Sequence, residues 1–165
     1  MGREIRRVPP DWKHPFNEYG DYKPLFDDDY DTELTEWIEG RRKWRAGEDP
    51  AREKHKDASW SEYWGEIPNE LDYRPQWPEG SATAYQVYET VSEGTPISPV
   101  FATSEELIDW LCQKGGASGM GIGGGRQVMS RVAAERFVDA GSAPSMMFSP
   151  ATGVASGTSI FEEPK

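Results

Sequence analysis

A single cysteine, Cys112, serves the whole chain. It rules out an internal disulfide, and a reducing cytoplasm suits the composition. Histidine is nearly as scarce, with His14 and His55 well separated. A Cys/His zinc cage needs four donors, so the chain lacks the ligands for one. No apolar run approaches the roughly 18 residues that a membrane-spanning helix needs. The opening Met1-Gly2-Arg3-Glu4-Ile5-Arg6-Arg7 is charged and leads into no apolar stretch, so no secretory signal is expected. Arg6 also stands where a myristoylation motif wants Ser or Thr. A basic surplus is missing as well: 18 Lys+Arg face 29 Asp+Glu, for a net charge of −11. Phosphate backbones and anionic membranes would repel such a chain, so direct nucleic-acid binding and membrane attachment are not expected. A partner protein with a basic surface would be attracted, fastest at low salt. No nucleophile elbow supports Ser-His-Asp chemistry. Cys112 follows Leu111 in an amphipathic pattern, where a half-buried thiol is the ordinary outcome. No cofactor, metal or catalytic set is legible, and the chain reads as a binding protein rather than an enzyme.

What is present is aromatic. Six of the seven tryptophans lie in the first 80 residues: Trp12, Trp37, Trp44, Trp60, Trp64 and Trp77. The same stretch holds 20 Asp+Glu against 13 Lys+Arg and 8 of the 13 prolines. Each buried indole removes on the order of 150–250 Å² from water, so this half is expected to fold rather than trail as a tail. A single domain over residues 1–165 is expected, in three regions. Residues 1–30, with Pro9, Pro10, Pro15 and Pro24 among their rings, read as an extended, packed arm. Residues 31–80 read as a helical acidic region. Residues 81–165 read as an α+β core.

Local patterns place the elements. Leu34, Trp37, Ile38, Arg41 and Trp44 share one face of a helix from Thr32 to Ala46, with Asp31 as N-cap and Gly47 closing it. Asp49-Pro50 opens a shorter helix. Ser59 with Glu62, and Thr103 with Glu106, form capping boxes. Residues 84–92 alternate as a strand, with Tyr85, Val87, Glu89 and Val91 on one face and Gln86, Tyr88 and Thr90 on the other. Residues 97–102 return beside it, at an edge because of Pro99. Leu107, Ile108 and Leu111 give the next helix its core face. A helix over residues 127–140, ending at Gly141, carries a broad face on which Val128, Val132, Glu135 and Val138 mix with Met129 and Phe137. Residues 145–148 form a short strand. The fold class that follows is α+β: a small antiparallel sheet with two helices in the C-terminal half, and a helical, loop-rich aromatic half packed on it.

Two motifs invite a ligand. Gly119, Gly121 and Gly124, in a run from Gly115 to Gly125 where seven of eleven residues are glycine, spell G-x-G-x-x-G with Arg126 beside it. Such backbone can cradle a phosphate. This run follows a helix rather than a strand, however, and carries no ribose-binding acid or Walker lysine. A mobile loop is the expectation, with an anion or nucleotide-like ligand as the rival. The run Asp27-Asp28-Asp29-Tyr30-Asp31 resembles the start of a calcium loop, but Thr32 and Ile38 stand where glycine and a bidentate glutamate are required. Asp27, Asp28, Asp29, Asp31, Glu33 and Glu36 are read instead as an acidic partner interface.

Three segments carry a family resemblance. They are Met1-Gly2-Arg3-Glu4-Ile5-Arg6-Arg7-Val8-Pro9-Pro10 with Trp12 and His14-Pro15, then Tyr85 to Pro96 with Ser98-Pro99-Val100-Phe101, and Ala143-Pro144-Ser145-Met146-Met147. These resemble a family of small phage and prophage proteins of unknown function. The resemblance implies a genetic setting and no chemistry, and Gly115 to Gly125 departs from the family pattern. Within that setting the expected function is inhibition of a host defence or regulatory component, of the anti-CRISPR or anti-defence kind. An acidic surface that copies DNA is one possible route. A binder of a nucleotide-like defence signal and a minor virion or assembly protein are the alternatives.

Overall fold

The computed structural model describes residues 2–90, 94–114, 128–144, 146–149 and 153–162. It is α+β and divides into two compact units: Leu25–Pro75, and Met1–Pro24 with Gln76–Lys165.

The discontinuous unit is built on a four-stranded antiparallel sheet. Its strands are β1 (Gly2–Val8), β2 (Ala84–Glu89), β3 (Thr95–Pro96) and β4 (Ser142–Pro144), in the order β3-β2-β1-β4. Here the expected N-terminal arm is corrected. Residues 2–8 are not an arm on the surface of a sheet made elsewhere, but one of its two central strands. β1 pairs with β2 from Arg3↔Glu89 to Val8↔Ala84, and with β4 from Gly2↔Pro144 to Glu4↔Ser142. Its three arginines hide the alternation that marks a strand. Arg6 is nonetheless buried. Arg6 and Arg7 lie over the Tyr88 and Tyr85 rings at 4.4 and 3.9 Å, so their stems act as apolar surface.

The segment returning beside β2 is interrupted. β3 pairs with Tyr88 and Glu89, and a second pairing joins Tyr85 to Phe101. Between them the Ser98 hydroxyl accepts from the Val87 N–H at 2.8 Å. A side chain thus serves the ladder beside Pro99, which has no N–H of its own to give. Residues 91–93 lie outside the described residues.

One face of the sheet, with Ile5, Tyr85 and Val87, packs against α3 (Ser104–Lys114) and α4 (Arg131–Ala140). The Thr103–Glu106 capping box forms: the Glu106 N–H donates to the Thr103 hydroxyl at 3.2 Å. Leu107, Ile108 and Leu111 are buried as expected. The face expected of α4 is corrected. Met129, Ala133, Ala134 and Phe137 are buried, whereas Val128 and Val132 are exposed. Ser130 caps the helix, which therefore starts at Arg131, and the small Ala133 and Ala134 face the core. β5 (Met146–Ser149) and β6 (Gly153–Ser156) make a separate hairpin.

The other face buries Val8, Ala84 and Tyr88 against Trp12 and Trp77. A polar chain is threaded through it. The Trp12 indole N–H donates to the Tyr88 hydroxyl at 3.0 Å, which donates to Gln86 Oε1 at 2.9 Å. Gln86 Nε2 in turn donates to the Ser98 carbonyl at 3.0 Å. His14 is buried beside them, with Nε2 2.7 Å from the Lys23 carbonyl and Nδ1 3.4 Å from the Tyr88 hydroxyl.

The continuous unit is held by tryptophan. Helix α1 runs from Tyr30 to Ala46, and α2 from Trp60 to Trp64. Trp37, Trp44 and Trp60 form its core, with Tyr63 stacked on Trp44 at 4.5 Å. Ile38, expected on the same face, is 54% exposed, because contact with α2 follows a narrow seam through Trp37, Gly40 and Trp44. The Ser59–Glu62 capping box starts α2. The short helix expected at Asp49-Pro50 is a single 3-10 turn, Pro50–Glu53.

Candidate partner interface

The six carboxylates singled out in the sequence all lie at the start of α1, and the structure divides them by job. Asp29, not Asp31, is the N-cap. Its carboxylate accepts from the Thr32 backbone N–H at 2.9 Å and from the Thr32 hydroxyl at 2.8 Å. Both bonds favour the ionised form and hold its pKa below the usual carboxylate range. The pair of bonds decides between two neighbouring aspartates that each satisfy the capping pattern. Asp27 forms an ion pair with Arg74 at 3.3 Å. That contact sits beside the pairing of Phe26 with Tyr73, where the Arg74 N–H donates to the Phe26 carbonyl at 2.9 Å.

Asp28, Asp31 and Glu36 are exposed and Glu33 is half-buried. None of them joins an ion pair among the described residues. Asp31 and Glu36 line an open depression of about 380 Å³ together with Thr32 and Thr35. The Thr35 hydroxyl donates to the Asp31 carbonyl at 2.7 Å, which fixes that wall. From Asp27 to Glu39 the chain carries seven carboxylates and no cation, and four cations follow from Arg41 to Arg45. The order matches the helix dipole, which favours anions at the N-terminus and cations at the C-terminus. Near the C-terminal end Arg42 binds Glu39 and Glu48, each at 2.9 Å, so positive charge there is partly neutralised. At the acidic end Asp27 is offset by Arg74.

The remaining candidates fall elsewhere. Gly119, Gly121, Gly124 and Arg126, and the whole of Gly115 to Gly125, lie outside the described residues. Cys112 is half-buried, and burial pushes its thiol pKa up against the opposing pull of Arg131, away from a reactive thiolate. His14 and His55 belong to different units. Among the described residues no group of three or more His, Cys, Asp or Glu is placed to hold a metal ion. No helix among them is long and apolar enough to cross a membrane. Sequence reasoning missed the hydroxyl wall of Thr32 and Thr35. The available signal was their i, i+3 spacing between Asp31 and Glu36, which puts all four side chains on neighbouring positions of the helix surface. No protein-family model, curated protein or solved structure matches the chain.

Proposed function

We propose that this chain acts by binding, docking the acidic start of α1 on a basic surface of a protein partner. In the setting that the phage-family resemblance supplies, the partner is a host defence or regulatory component in the bacterial cytoplasm, and docking inhibits it. The observation that carries the reading is the open depression of Asp31, Thr32, Thr35 and Glu36, flanked by Asp28 and Glu33 with no cation of the unit paired to them. Carboxylates and hydroxyls around an open hollow accept the donors of an arginine or lysine from outside. A shallow, unenclosed hollow suits a protruding side chain better than a small ligand, which needs burial on most sides.

The test separates charge from fold. A triple variant, Asp28→Asn, Asp31→Asn and Glu36→Gln, spares the Asp29 cap and the Asp27 ion pair. For the host protein captured by the wild-type chain, the association rate is measured at about 50 mM and about 500 mM salt, between which the Debye length shrinks several-fold. The expected result is slower association at high salt and for the variant, with little change in dissociation. Equal rates under both salts, with a silent variant, would remove the acidic run from the function.

A further inference from the structure

We propose that residues 15–23 form a docking finger that places Tyr19 in an apolar pocket, rimmed by lysine or arginine, on a protein partner. This surface belongs to the other compact unit and stands independently of the acidic run on α1.

The finger is built by its own backbone. The Lys23 N–H donates to the Pro15 carbonyl at 2.9 Å, the Asn17 N–H to the Asp21 carbonyl at 2.8 Å, and the Gly20 N–H to the Asn17 carbonyl at 3.1 Å. Asn17 Oδ1 accepts from the Tyr19 and Asp21 N–H groups, at 2.9 Å each. Gly20 closes the turn at φ +84°, a conformation other residues adopt at a cost. Phe16 and Tyr22 pair across the base and stack at 4.8 Å. Tyr22 meets the buried His14 edge-on at 5.5 Å, which ties the finger to the body of its unit.

The rings point outward despite this order. Tyr19 is 82% exposed, Phe16 60% and Tyr22 41%. A lone exposed aromatic residue is ordinary. Three on one hydrogen-bonded hairpin, with the most exposed at its tip, make a preformed apolar projection. Tyrosine loses little rotamer freedom on docking, and a turn already ordered has less left to lose, so binding energy is retained. The flanks choose the partner. Glu18 and Asp21 are exposed on either side of Tyr19, and neither joins an ion pair among the described residues. An anionic membrane would be repelled by them and by the net charge of −11. A second copy would bring the same two carboxylates to the contact and be repelled likewise. A protein pocket with a cationic rim satisfies both the ring and its flanks.

The experiment puts a photo-crosslinking benzoyl-phenylalanine at Tyr19 in the full chain, with the same residue at the exposed Glu53 as control, in a lysate of the bacterial host. The expected result is an adduct with a different protein at position 19 and not at 53. Unlabelled wild-type chain should compete it away. Tyr19→Ser, whose ring supports no packing, should compete about 30-fold less well, the loss of one hot-spot side chain. A Glu18→Lys, Asp21→Lys variant should fail in the same way. Unchanged tryptophan emission in each variant certifies the fold. The inference is overturned if position 19 gives no adduct beyond that at 53, or if the adduct joins two copies of this chain. It is also overturned if Tyr19→Ser competes as well as wild type, or if the chain sediments with phosphatidylglycerol vesicles through Tyr19. None of these outcomes bears on the α1 carboxylates, which are intact in every variant.

Discussion

At neutral pH, His14 sits uncharged beneath the sheet. Nε2 carries its proton, because the Lys23 carbonyl 2.7 Å away can only accept. Burial lowers the pKa of this imidazole and outweighs the opposing effect of the Lys23 carbonyl, and the Arg6 guanidinium adds a smaller lowering. The unfolded chain therefore takes up a proton that the folded chain refuses. The resulting stability is complete above the ordinary imidazole value, near 6.5, and is lost as pH falls through the depressed folded value. Urea midpoints followed by tryptophan emission should fall between about pH 7 and pH 5 in the wild type. His14→Gln should show a flatter dependence, and an unchanged slope would show that His14 does not set it. Sequence could not disclose this role. His14 stood in a proline-rich stretch with no periodicity, and its burial depends on Tyr88 and Trp12, which come from opposite sides of the Leu25–Pro75 segment.

The seam between α1 and α2 turns on a glycine in mid-helix. A Cβ at Gly40 would come within 2.5 Å of the Trp60 ring carbons. Alanine at an exposed helical glycine gains about 0.5–1 kcal/mol from propensity. Here the added methyl displaces a core indole, and overpacking costs about 1–3 kcal/mol. Gly40→Ala is thus expected to destabilise the protein, with a lower urea midpoint and a red-shifted tryptophan emission. A gain in stability would show that the seam yields. Elements bounded by local chemistry were legible from the sequence: both capping boxes, the αL end of α1 at Gly47, and the core stripe of α3. Elements whose buried face depends on a distant neighbour were not. Val132 of α4 fitted the apolar face in the sequence, but it is exposed, and Ala133 and Ala134 take the side facing the core. The acidic run was legible as a cluster, but not the ion pair within it, which depends on Arg74 lying beside Asp27.

The α+β class of the whole molecule followed from the strand and helix patterns of the second half. The sheet's connectivity did not, because β1 is paired on both sides by segments that lie far along the chain. Deleting residues 2–8 should therefore do more than trim an end. Hydrogen exchange at the β2 amides should rise towards that of unfolded chain, and protected β2 amides would show that the sheet closes without its partner. The same connectivity has a consequence for biosynthesis. β1 leaves the ribosome before either of its partners and cannot complete its pairing until residues 142–144 have been translated. Until then, part of an edge rich in free N–H and C=O groups stays open to other chains. Closure over so long a loop also carries an entropic cost that slows folding. The charged side chains Arg3, Glu4 and Arg7, which disguised the strand in the sequence, are the kind that keep such an edge from aggregating while it waits.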